Sequence, residues 1–479
     1  MFGFKTREDT KDQRFVLGRT GRFSFFPRFT INHQVRKFHT YIVGLTGRGK
    51  SKLLQNLLVQ DILAGRGCAI VDPHGDLAKD VLHELQSRGH FNDKAHLDRV
   101  MYVAPRRRDY VVPFNVLKRP DEDTETYEIA QRVISSFMRT WARTLAEPPR
   151  FQQIMRSALG VLIETNGTLI DLYRLLTDDD FRNSRLKQII NPKVSIDAHT
   201  FFANEFDQWG RDRPRIMSST TNKASALIEN PSLYYMLGHT ENHLDIRSIM
   251  DRGKVLLVDL GDCDDETKRL FGTLIVTGFE QAALSRAKQP YEKRSPYYLY
   301  IDEFQDFAHQ PGAAETFSQM LSQVRKFGLH LILANQSIAQ LPQGLQRALG
   351  NAQTMISFRV SRADAEVMAS ILGKVDVEAV KREGQTEVQH PVYSPLHEQR
   401  EEFIQILTKL NVRQFVVSTS DDRQAVLWAE KVLSPTAPLD ELEKLIRELL
   451  HRHGVRLEQP NQEDPLKPDQ TVSKGIFTG

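Results

Sequence analysis

Gly44-Leu-Thr-Gly-Arg-Gly-Lys-Ser51 follows the apolar run Tyr41-Ile-Val43 and precedes Leu53, Leu54, Leu57, Leu58 and Ile62 at helical spacing. Strand, glycine-rich turn and helix in that order read as a phosphate-binding loop. Gly44, Gly47 and Gly49 let the backbone turn its amides toward phosphate oxygens, and the helix behind them adds the positive end of its dipole. Lys50 is placed to reach the β- and γ-phosphates, and the Ser51 hydroxyl to ligate Mg²⁺. Arg48 puts a long cation in the loop. It reads either as a contact to a phosphate or a neighbouring subunit, or as a solvated tip.

A second stretch answers the first. Pro296-Tyr-Tyr-Leu-Tyr-Ile-Asp302-Glu303-Phe304 is an apolar strand followed by paired acids. Asp302 at the strand tip can hold Mg²⁺ through water, and Glu303 can take a proton from an attacking water. Paired acids after a strand also serve as helix caps, but a phosphate loop upstream gives them chemistry. Leu329-His-Leu-Ile-Leu333 is a further buried strand, and beyond it Gln336 would stand beside the loop, able to sense the γ-phosphate or orient water.

Between the two stretches, Cys68-Ala-Ile-Val71 reads as a short buried strand ending in Asp72-Pro-His-Gly-Asp76. Asp72 or Asp76 either faces the nucleotide from the strand's C-terminal end or belongs to an Asp-Pro turn in which Asp76 caps the next helix. Strand Arg99–Val103 follows, then the run Arg106-Arg-Arg108, which is a phosphate contact or a solvated turn. From about 111 to 250 strand signals vanish. Ile134, Phe137, Met138 and Trp141, then Phe151, Ile154, Met155 and Ala158, repeat at three and four, the period of packed helices.

The expected organisation is an N-terminal strand pair and basic arm over 1–38. An α/β core over 39–110 and 251–430 holds an all-helical insertion at 111–250. A C-terminal helix at 431–454 and a flexible tail at 455–479 complete the chain. Residues 374–402, polar and Pro-containing, read as a loop. Residues 1–37 carry nine Lys/Arg against three acids, which makes either an arm lying on phosphates or a solvated edge.

Composition narrows the class. A chain of 479 residues with 40% hydrophobic content can bury a sizeable core, and its two cysteines support neither a disulfide framework nor a Cys-based zinc site. No run of eighteen apolar residues occurs, so the expected setting is cytoplasmic, with recruitment to a membrane complex left open. The net charge of +3 is too small to identify a nucleic-acid partner by itself.

Taken together, Gly44–Ser51, Asp72-Pro-His-Gly-Asp76, the helical insertion, Tyr300-Ile-Asp302-Glu303-Phe304 and Arg325-Lys-Phe-Gly…Ala334-Asn-Gln336-Ser337 resemble the FtsK/HerA superfamily of DNA-pumping ATPases. Within it the chain is most similar to the motor of conjugative type IV coupling proteins, over roughly 39–430. The resemblance implies a RecA-like P-loop NTPase core with a mainly parallel sheet and an inserted all-helical domain. It implies ATP and Mg²⁺ at subunit interfaces of a homo-oligomeric ring, a hexamer, with DNA, taken as duplex, in a central pore. By position, Gly44, Leu45, Thr46, Gly47, Arg48, Gly49, Lys50, Ser51 and Lys52 hold the nucleotide, Ser51 and Asp302 the metal, and Glu303 activates water. Gln336 matches the sensor glutamine. Arg325 matches an arginine that reaches the neighbour's nucleotide; its other reading is a basic residue at a helix C-terminus.

The resemblance also brings possible partners: a secretion channel, a relaxosome or a nuclease. Coupling proteins usually begin with membrane helices, and HerA-like motors with a larger barrel than 43 residues allow. Two other readings therefore stand beside the conjugative motor. One is a HerA-like translocase working with a nuclease in repair or phage defence. The other is an ATP-gated adaptor that recruits protein substrates.

Overall fold

The computed structural model of the chain describes residues 14–120, 123–141, 148–308, 313–372, 395–432 and 435–457. They divide between two compact units. The first is drawn from Met1–Cys68, Pro296–His309 and Ala314–Pro435, the second from Ala69–Ser295, Gln310–Ala313 and Thr436–Gly479.

The first unit is organised by four parallel strands. Thr40–Val43 lies between Leu329–Asn335 and Thr354–Ser357, and Tyr297–Ile301 flanks Leu329–Asn335 on the far side. Every residue of Tyr297–Ile301 and Leu329–Asn335 is buried. Burial on both faces explains why these strands read as unbroken apolar runs and not as alternating ones. Register brings the strand ends level. Val43 pairs with Asn335 and Ser357, and Ile301 with Leu333, so the phosphate loop, Asp302 and Gln336 all emerge from one edge.

Beyond Thr354–Ser357 the pairing turns antiparallel, through Gln414–Ser418 and Gln424–Trp428 to Phe15–Arg19 and Arg28–Ile31. The closing hairpin and the N-terminal strands expected from sequence are thus one continuous wing. The helix Lys50–Leu63 presses Leu53, Leu54, Leu57, Leu58 and Ile62 into the core.

Near the wing, one expectation is corrected. Residues 374–402 read as a loop, yet Leu396–Lys409 is a helix; residues 373–394 lie outside the described set. Pro395 at its N-cap starts it, and Ile404 and Leu407 bury one side. Its Glu/Gln/Arg-rich face hides the apolar period in the sequence, although those residues are good helix formers.

In the second unit, strand Val255–Asp259 lies between Gly67–Asp72 and Val100–Val103, parallel to the latter. Among the described residues between Val111 and Val255, regular structure is helical only. Thr126–Trp141 and Pro148–Glu164 pack through Phe137, with Phe151 and Trp141 at ring distances of 6.3 and 4.9 Å. The helix Leu439–His453 packs on Val100–Val103. The tail expectation at 455–479 needs amending at its start, because Val455–Arg456 pairs with Tyr110–Val111; residues 458–479 are outside the described set. No helix among the described residues is long and apolar enough to cross a membrane.

Candidate active site

The loop is fixed at its entrance by backbone alone. The Gly44 amide donates to the Asn335 carbonyl at 3.3 Å, and the Leu45 amide to the Arg359 carbonyl at 2.9 Å. A Cβ on Gly44 would sit 2.5 Å from Cβ of Phe358, which requires glycine at this position. At the other end Gly49 adopts φ +113°, a left-handed backbone that lets the helix begin at Lys50. No side chain caps that helix, so its first amides keep their hydrogen-bonding capacity for an anion.

Lys50 is buried. Its ammonium donates to the Gly44 carbonyl at 2.6 Å and stands 3.9 Å from Glu303 Oε1. Burial pushes its pKa below the usual value, against the opposing pull of Glu303 and then Asp302. A cation so placed gains most from an arriving phosphate. The Ser51 hydroxyl lies 3.4 Å from Asp302 Oδ2. A hydroxyl and a carboxylate side by side fit a hard divalent cation such as Mg²⁺, whose remaining positions go to water and phosphate oxygens.

Glu303 is held on both oxygens. Oε1 accepts from the Gln336 amide at 3.0 Å and Oε2 from the Gln305 amide at 2.8 Å. Its backbone is left-handed, at φ +42°, and its amide donates to Asp302 Oδ1 at 3.0 Å. A non-glycine residue in that region is strained, and such strain gathers where a side chain must be aimed. Gln336 is bonded on its other side too, accepting from the Thr46 hydroxyl at 3.0 Å. One amide therefore joins the phosphate loop to the carboxylate.

The fold gathers Lys50, Ser51, Asp302, Glu303 and Gln336, but not every expected residue. Arg325 is exposed, its guanidinium 4.5 Å from the Phe38 ring, just before Leu329–Asn335 begins. The phosphate loop lies at the other end of that seven-residue strand, on the order of 20 Å away. Lys52 turns along its own helix to Gln55 at 3.0 Å. Arg48 is half-buried, with its Nε enclosed, and so is not a solvated tip.

The Asp72-Pro-His-Gly-Asp76 turn lies in the second unit. Asp72 accepts from the His74 and Ala78 amides, each at 3.0 Å. The carboxylate that ties down the start of the helix is Asp72; Asp76 is that helix's first residue, behind Gly75. Of the Arg106–Arg108 run, Arg107 bonds Asp109 and reaches Glu443 at 2.7 Å, so it is committed to ion pairs. Sequence reading missed Asp259. It is buried and accepts from the Tyr102 hydroxyl and, at 2.9 Å, from the Gly261 amide. Burial pushes its pKa up, and only its place at the end of an apolar strand could have marked it.

The family model of the type IV secretion-system coupling protein DNA-binding domain matches residues 25–407. No curated protein matches the chain. Among solved structures, the bacterial conjugative coupling protein TrwB in an unbound form is 17% identical with a TM-score of 0.61, covering 90% of this chain and 92% of its own. TrwB in complex with ADP and Mg²⁺ is 16% identical with a TM-score of 0.57, over 89% and 97%. VirB4 of Thermoanaerobacter pseudethanolicus is 14% identical with a TM-score of 0.54, over 90% and 98%. At such identities the shared property is the fold, a RecA-like P-loop NTPase core with a large helical insertion.

Proposed function

Because the chain belongs to the family of type IV secretion-system coupling protein DNA-binding domains, we propose that it is an ATP-hydrolysing motor that moves DNA through a ring of identical subunits. The observation that carries this reading is the two-sided grip on Glu303 beside Lys50, with Gln336 joining it to Thr46. A switch that only bound nucleotide would have little use for a carboxylate aimed in this way.

In this reading the amides from Thr46 to Ser51 and the Lys50 ammonium bind the ATP phosphates. Ser51 and Asp302 hold Mg²⁺, which when bound neutralises phosphate charge; the coupling protein solved with ADP and Mg²⁺ on the same fold supports the assignment. Glu303 takes the proton of the attacking water. Gln336 orients that carboxylate and registers, through Thr46, what the loop holds. Arg325, set far from its own subunit's loop, serves the site of the next subunit as an arginine finger. A finger in trans calls for neighbouring subunits, as in the six-membered ring that the resemblance to coupling proteins implies.

The test is ATP turnover with and without duplex DNA at several salt concentrations. DNA should stimulate hydrolysis, and the stimulation should fall steeply with salt, because phosphate contacts release counterions. Lys50→Ala should lose nucleotide binding, whereas Glu303→Gln should bind ATP and barely turn over. No hydrolysis with a long duplex present, or normal turnover in Glu303→Gln, would overturn the reading.

A further inference from the structure

The strands Phe15–Arg19 and Arg28–Ile31 are joined by the tip Thr20-Gly-Arg-Phe-Ser-Phe-Phe-Pro27. Phe23 is 58% exposed and Phe25 78%. Exposed rings on a loose tip would call for little explanation, but this tip is built. The Thr20 amide donates to the Pro27 carbonyl at 3.1 Å, and the Phe26 amide to the Phe23 carbonyl at 3.2 Å. The Arg19 guanidinium donates to the carbonyls of Ser24 and Phe26, the latter at 2.8 Å. A Cβ on Gly21 would fall 2.4 Å from the Phe26 ring, so glycine is required there.

The rings are ordered with the backbone. Phe23 and Phe25 lie within 12° of parallel at 5.7 Å, and Phe25 stacks on Phe26 at 4.6 Å and 28°. The hairpin thus presents a short stack of flat apolar faces to solvent. Around it the sequence is one-sided in charge, with no Asp or Glu from Gln13 to Gln60. Arg22 is exposed beside Phe23, and Arg28 stands on the other limb. Glu430 reaches the hairpin only at its base, bonding Arg19 at 3.0 Å and Arg28 at 3.2 Å.

Stacked aromatic faces with the exposed Arg22 guanidinium beside them, and with Glu430 engaged by Arg19 and Arg28 at the hairpin's base, suit single-stranded nucleic acid. Every base has a face to stack, and the backbone brings phosphates. A membrane surface attracts the same residue types, but interfacial binding rests on a broad apolar face, and here the exposed apolar surface is two rings on one short tip. We propose that the Phe23/Phe25 tip binds a single polynucleotide strand by base stacking, with Arg22 on its phosphates. That the strand is DNA rests on the motor reading above.

The tip also has a route to the phosphate loop. Next to Glu430, Ala429 donates its amide to the Arg413 carbonyl at 2.8 Å and accepts from the Arg413 guanidinium at 2.6 Å. The Arg413 amide in turn donates to the Arg48 carbonyl at 2.9 Å, from a left-handed backbone at φ +69°. Three hydrogen-bonded steps, Arg19 to Glu430, Ala429 to Arg413 and Arg413 to Arg48, thus link the hairpin's base to the loop.

The experiment uses the full chain and a fluorescein-labelled 20-mer of thymidylate. In anisotropy titrations, Phe23→Ala/Phe25→Ala should bind about tenfold to 100-fold more weakly than wild type, from the usual worth of stacking per base; an unchanged thermal midpoint serves as the folding control. Phe23→Trp should keep the affinity, and its emission, after subtraction of the three native tryptophans measured in wild type, should be quenched by the oligonucleotide and not blue-shifted by phosphatidylglycerol vesicles. Unchanged affinity in the folded double variant, absence of quenching by the oligonucleotide, or a blue shift with vesicles alone would overturn the proposal. If wild type fails to hydrolyse ATP on duplex DNA while oligonucleotide binding still depends on the two rings, the motor reading falls and the tip stands.

Discussion

The side-chain amide of Gln336 donates to Oε1 of Glu303 at 3.0 Å, so the end of one buried strand steers the carboxylate that follows the strand beside it. Gln336→Ala frees that oxygen. Turnover should fall about tenfold to 100-fold, part of what a positioned base contributes, with ATP affinity nearly kept. Gln336→Glu should move the acid limb of the pH–rate profile upward, because two adjacent carboxylates resist joint ionisation. Single-turnover hydrolysis across pH checks both, and an unmoved acid limb in Gln336→Glu would remove the steering role.

Arg325 leans on Phe38, at the opposite end of its neighbouring strand from the phosphate loop. If it serves another subunit, Arg325→Ala chains mixed into wild type should depress turnover below simple dilution. Nucleotide affinity of isolated Arg325→Ala should stay close to wild type. Activity that falls in strict proportion to the wild-type fraction would leave Arg325 as a surface cation at a helix end.

His39 is buried at the foot of the loop strand, with its Nδ1 accepting from the Leu331 amide at 2.9 Å. Burial, and after it the charge of Arg325, pulls its pKa down to about 4. The unfolded chain takes up this proton near pH 6.5 and the folded chain only near 4, so the unfolded state holds more protons in that window. Stability should therefore drop as pH falls from 6.5 to 4, by at most about 3 kcal/mol from this group. His39→Asn, which offers an acceptor and cannot charge, should show a shallower loss in urea midpoints measured across that range; His330, also depressed by burial, contributes in the same direction.

Arg36 is enclosed between the Phe15 and Tyr298 rings, 3.6 and 3.9 Å from their centroids, and forks onto Asp61. The Tyr300 hydroxyl, from the strand that carries Asp302, bonds the same carboxylate at 2.6 Å. Arg36→Met strips a buried carboxylate of its main partner and should cost about 3 kcal/mol. Arg36→Met/Asp61→Leu should recover much of that loss. Equal urea midpoints for the single and double variants would show that Arg66, 3.2 Å from Asp61, already suffices.

How legible the site was depended on how local its parts are. Gly44–Ser51 announces itself because strand, turn and helix are contiguous, and Asp302-Glu303 because two acids end an apolar run. Gln336 was readable from strand order, since a residue past a parallel neighbour must emerge beside the loop. The clamps on the loop were not. Arg359 and Arg413 act there through backbone groups, which leave no mark on residue type. Nor did sequence pair Arg36 with Asp61, a contact between separate elements, or show that Asp72 and not Asp76 secures its helix. The helix Leu396–Lys409 was lost for another reason: with so few buried side chains its apolar period is faint.

The fixed entrance of the phosphate loop has a kinetic corollary. With its first two amides already engaged by the Asn335 and Arg359 carbonyls, the entrance of the cradle need not assemble when ATP arrives. Little ordering entropy is lost on capture, and the distinction between triphosphate and diphosphate is left to Lys50, Glu303 and Gln336 at the γ end. Loading should then be fast, with the cycle's timing set after capture.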